Sequence, residues 1–136
     1  MSVLEMNTAE PSQATFPRPL TETERSFVAF LITKFLPTRN YLQEQLADSV
    51  VTRICGCGCP TFDLWETCSP APPASEARVF WQGYGETARG DSVGILLFET
   101  AGRLSCCEVF YNADESRADL PVFESIKESP TSPVQP

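Results

Sequence analysis

Histidine is absent from all 136 residues. Without an imidazole the chain cannot build a Ser-His-Asp or Cys-His catalytic arrangement, nor a histidine metal site within one monomer. Basic residues are sparse too: 10 lysines and arginines face 18 aspartates and glutamates, a net charge of -8. That balance argues against a nucleic-acid or anionic-membrane partner, because both need a basic surface. Long apolar runs are also missing. The longest, Phe27 to Ile32, has six residues, where a membrane span needs about 20. The first 20 residues hold no basic start followed by an apolar stretch, so they do not read as a secretory signal and the mature protein is expected to begin near Met1. A soluble, cytoplasmic protein is expected, with its cysteines as thiols or metal ligands rather than a disulfide framework.

What is present is 42% apolar content, ordinary for a soluble domain, and 12 prolines, about 9% against a usual ~5%. Nine prolines fall in three places: Pro11, Pro17 and Pro19; Pro70, Pro72 and Pro73; Pro130, Pro133 and Pro136. Residues 1–18 and 129–136 therefore read as disordered tails, too polar to offset the entropy of ordering. Residues 67–76 read as a proline-rich internal loop, and residues 19–128 as a single domain.

The run Thr21-Glu22-Thr23-Glu24 is a capping box, and Val28, Leu31, Ile32 and Phe35 follow at helical spacing until Pro37, which predicts a helix over 22–36. Thr38 is placed to cap a second helix carrying Leu42 and Leu46 on one face. From Ser49 onward β-branched and aromatic residues come in short runs, predicting strands near 50–54, 62–66, 77–83, 93–99 and 103–111. The last two are joined by Thr100-Ala101-Gly102-Arg103, short enough for an antiparallel hairpin. Alternation puts Ile95 and Leu97 on one face and Leu96 and Phe98 on the other, so this strand is expected to be central. Leu120 to Glu128 is expected to close the chain as a short helix with Pro121 in its first turn. The predicted architecture is α+β: two N-terminal helices on a mainly antiparallel four- to five-stranded sheet, plus a short C-terminal helix.

Six cysteines are present, three of them within Cys55-Gly56-Cys57-Gly58-Cys59-Pro60. If that segment is extended, all three side chains project to one side. They then offer thiolates to zinc or another soft metal. Cys68, Cys106 and Cys107 are candidates for a fourth ligand, although Cys106 and Cys107 are adjacent on a strand and at most one can join a common site. The spacing is not that of paired Cys-x2-Cys zinc knuckles. A turn filled by structural thiols explains the same residues, and a redox pair is a third option.

Other features have plainer explanations. Arg89-Gly90-Asp91 reads as a turn between strands rather than an adhesion motif. Trp65, Phe80, Trp81 and Tyr84 read as core or half-core. Asp63 and Glu108 are strand carboxylates that nothing in the sequence places in one pocket. Residues 101–128 hold six acids and three bases, a solvated face or a surface for a basic protein partner.

Arg53 to Pro60 through Phe62-Asp63-Leu64, followed by Gly102-Arg103-Leu104-Ser105 and Glu108-Val109-Phe110-Tyr111, resembles small uncharacterised bacterial α+β proteins with a Cys-x-Cys-Pro turn. The resemblance implies a bacterial cytosolic setting and the same layout, and no activity. Three functions are carried forward. The first is a non-enzymatic protein-binding module, immunity-like or an adaptor, with an acidic interaction surface. The second is a small zinc- or soft-metal-binding protein using Cys55, Cys57, Cys59 and Cys68. The last is an enzyme that depends on a cysteine or carboxylate.

Overall fold

The computed structural model describes residues 15–67, 70, 76–112 and 117–132. Helix α1, Glu22–Phe35, starts where the capping box is complete: the Thr21 hydroxyl accepts the Glu24 N–H at 3.0 Å and the Thr21 N–H donates to the Glu24 carboxylate at 2.9 Å. The same carboxylate takes a paired hydrogen bond from Arg18 at 2.9 Å, which ties strand β1, Arg18–Pro19, to the helix. Phe27, Val28, Leu31 and Ile32 form the fully buried face of α1. Helix α2, Tyr41–Ala47, buries Leu42 and Leu46. Its N-cap is Asn40 rather than Thr38, with no side-chain cap bond.

Five longer strands follow: β2 Ser49–Ile54, β3 Phe62–Glu66, β4 Arg78–Glu86, β5 Ser92–Thr100 and β6 Arg103–Tyr111. A last strand, β7, is Lys127–Glu128. All seven belong to one antiparallel sheet in the order β1-β2-β3-β6-β5-β4-β7. One face carries Val51, Phe62, Leu64, Trp81, Ile95, Leu97, Cys107 and Val109, which join the helix residues in a single core. On β5 the alternation is visible in burial: Ile95 and Leu97 are sealed, while Leu96 and Phe98 on the opposite face are half-buried. The β5–β6 hairpin turns on Ala101 and Gly102, whose φ angles of 53° and 78° are both positive, as a primed two-residue turn requires.

The sheet overturns the predicted architecture in two respects. Among the described residues it has seven strands, not four or five, so strand outweighs helix. The expected C-terminal helix is absent: residues 120–128 form only a 3-10 turn, Phe123–Ser125, before β7. The reason is the open edge of β4. Val122 N–H bonds Glu86 C=O at 2.9 Å, the Ser125 hydroxyl bonds both backbone groups of Glu86, and β7 pairs with Gly83 and Tyr84. A nine-residue helix is marginal on its own, whereas these bonds satisfy backbone groups that an edge strand otherwise leaves open. At the other edge Phe16 packs on the core and Arg18 and Pro19 pair with Val51 and Val50. No helix among the described residues is long and apolar enough to cross a membrane.

Candidate metal centre

The segment joining β2 to β3 closes where the Cys55 N–H donates to the Thr61 carbonyl at 3.3 Å. Within it the chain does not continue as an extended strand. Gly58 takes a φ of +96°, a conformation that side-chain-bearing residues avoid, and the resulting turn folds the three sulfurs together. The Sγ atoms of Cys55, Cys57 and Cys59 all lie within 4.8 Å of one another. Cys57 is exposed, and Cys55 and Cys59 are half-buried.

Hydrogen bonds set the details. The Cys55 thiol donates to Cys57 Sγ at 3.1 Å, and the Cys59 N–H donates to the same sulfur at 3.4 Å. The Cys59 thiol donates to the Thr61 hydroxyl at 3.3 Å. That hydroxyl in turn accepts the Val109 N–H at 2.9 Å and donates to the Val109 carbonyl at 3.1 Å. One O–H and two lone pairs are thus fully used. The Thr61 side chain thus anchors the cysteine turn to β6.

The Cys55 thiol is pulled down by the Cys57 backbone N–H, but the neighbouring Cys57 and Cys59 thiols, burial and the charge of Cys59 outweigh it and raise its pKa to about 11. The two strand cysteines differ. Cys107 lies in the core, fully buried, and Cys106 on the opposite face. Burial holds both thiols protonated well above the usual range, reinforced by Asp63 at Cys106 and by Glu24 and Glu108 at Cys107. Neither joins the converged trio, and Cys68 lies outside the described residues.

The carboxylates that the sequence leaves apart do share a pocket. Asp63 pairs with Cys106 across the β3–β6 ladder, and Asp63, Cys106 and Glu108 line two adjoining cavities of about 340 Å³ each on the helix-free face. Cys55 and Gly56 border the second. Asp63 is engaged by Arg53 at 2.9 Å, and a thiol as firmly protonated as Cys106 is a poor nucleophile. The Arg89-Gly90-Asp91 segment is a turn held by its own bonds: Gly90 N–H to Thr87 C=O at 2.9 Å and Asp91 N–H to the Thr87 hydroxyl at 3.1 Å. Of the four aromatics expected in the core or half-core, Trp65, Phe80 and Trp81 are buried and Tyr84 is exposed. The residue that sequence reasoning missed is Thr61; its signal is a hydroxyl two positions after the last loop cysteine, at the start of a strand.

The chain matches no protein-family model, no curated protein and no solved structure.

Proposed function

We propose that the protein binds a thiophilic metal ion, zinc in the first instance, through Cys55, Cys57 and Cys59. The observation that carries this reading is the convergence of three sulfurs within 4.8 Å. With zinc–sulfur bonds of about 2.3 Å in a tetrahedral shell, the sulfurs would sit about 3.8 Å apart. Cys55 and Cys57, now at 3.1 Å, would open by about 0.7 Å to reach that spacing. Cys59 exchanges its hydrogen bond to Thr61 for a bond to the metal. Three thiolates leave a fourth position on zinc for water or a further ligand.

The test is anaerobic reconstitution of the reduced full-length chain with zinc, followed by dialysis and elemental analysis. One equivalent per chain is expected, lost in Cys57→Ser and kept in Cys106→Ser. Retention below about one-tenth equivalent, with the loop thiols still free to react, removes the proposal.

A second reading is the non-enzymatic docking module. It is favoured by the exposure of Asp119, Glu124 and Glu128, on the segment 119–128 that leads into β7, in a chain with a net charge of -8. A basic partner would then co-purify at low salt and dissociate at high salt. Recovery of no basic partner at low salt counts against it.

A further inference from the structure

The cysteine turn carries a second chemistry that needs no metal. Two donors converge on Cys57 Sγ: the Cys55 thiol at 3.1 Å and the Cys59 backbone N–H at 3.4 Å. The two sulfurs are thereby held 3.1 Å apart, within reach of a bond between them. Cys57 is also the exposed member of the pair, and Cys55 the half-buried one. Cys57 is therefore the more accessible thiol to an incoming molecule, with Cys55 Sγ 3.1 Å from its sulfur.

We infer that Cys57 and Cys55 are the attacking and resolving thiols of a redox pair that reduces low-molecular-weight disulfides. The Cys57 thiolate attacks one sulfur of the incoming disulfide; its S–S bond breaks, a Cys57 mixed disulfide forms and one thiolate leaves. That thiolate takes a proton from the Cys55 thiol. Cys55 then attacks Cys57 Sγ, forms the Cys55–Cys57 disulfide and expels the second thiolate, which solvent protonates. The incoming disulfide gains two electrons and the cysteine pair loses two. Because both sulfurs belong to the proposed metal site, their oxidation would dismantle it, but the exchange itself rests only on the metal-free turn.

The experiment uses the reduced, metal-free full-length chain with glutathione disulfide as probe, alkylation of remaining thiols at timed intervals, and peptide mapping. The product expected is a Cys55–Cys57 link. In Cys55→Ser the reaction should stall with glutathione held on Cys57, and in Cys57→Ser glutathione should appear on Cys55 at least about tenfold more slowly than on Cys57 of the parent. A first-formed link to Cys59 or Cys68, or undiminished reaction at Cys55 in Cys57→Ser, overturns the assignment. Since no metal is added, failure of zinc binding leaves this result untouched.

Discussion

Replacing Thr61 by valine tests the junction between the cysteine turn and the sheet. The side chain keeps its shape and loses one hydroxyl. That hydroxyl serves both the N–H and the carbonyl of Val109, a residue whose side chain is fully buried, and receives the Cys59 thiol. Leaving a buried backbone group without a partner costs about 1–3 kcal/mol. Two such groups, discounted because Thr61 itself is only half-buried, give an expected loss of about 2–3 kcal/mol. In a domain of this size that lowers Tm by roughly 10 °C. Thr61→Ser keeps the hydroxyl and should lose about 1 kcal/mol or less. The assay is urea unfolding followed by tryptophan fluorescence, with equal m-values required before the midpoints are compared. A Thr61→Val midpoint within about 0.5 kcal/mol of the parent would refute the argument, since surface substitutions alone fall in that range.

Four further outcomes are expected. Ala101→Asn should stabilise the hairpin by about 0.5–1 kcal/mol, because Asn tolerates a positive φ better than Ala, and urea midpoints will show it. Gly83→Ala should destabilise by about 3 kcal/mol: its Cβ would fall 2.2 Å from the buried Trp81 ring and 2.8 Å from the Lys127 carbonyl, an overpacked position. Tryptophan fluorescence through the same unfolding series reads this directly. Alkaline conditions should weaken the fold. Cys106 and Cys107 are held protonated in the native state, so stability is full below the unfolded thiol value of about 8.5 and falls as pH rises, by up to about 1.4 kcal/mol per unit for each thiol. Unfolding at a series of pH values should show a shallower slope for Cys107→Ala than for the parent. Zinc affinity should rise with pH, because the metal must displace a proton from Cys55, raised to about 11. That proton alone gives about tenfold per pH unit across the neutral range, and a flat profile in chelator competition would place Cys55 outside the metal's ligands.

Much of the chain is readable from local pattern. The capping box at Thr21 and the spacing of Val28, Leu31 and Ile32 locate α1, and the alternation of Ile95 and Leu97 against Leu96 and Phe98 identifies the faces of β5. The three loop cysteines are visible as a cluster because they are close in sequence. The C-terminal segment misleads for a definite reason: Val122, Phe123 and Ile126 are compatible with a short helix, and only the unpaired edge of β4 makes the extended strap better.

By itself the sequence determined the elements whose signals lie within a few residues of each other: two helices, five longer strands, a two-residue hairpin turn and three thiols on one loop. The tertiary structure decided what depends on distant partners. Arg18–Pro19 and Lys127–Glu128 are strands only because β2 and β4 offer edges to them. Asp63 meets Cys106 only through the β3–β6 register. Thr61 becomes the anchor of the cysteine turn only because Val109, 48 positions later, presents two backbone groups to one hydroxyl. Periodicity is a local property of a chain, whereas edge pairing, register and hydrogen-bond satisfaction are properties of the assembled sheet.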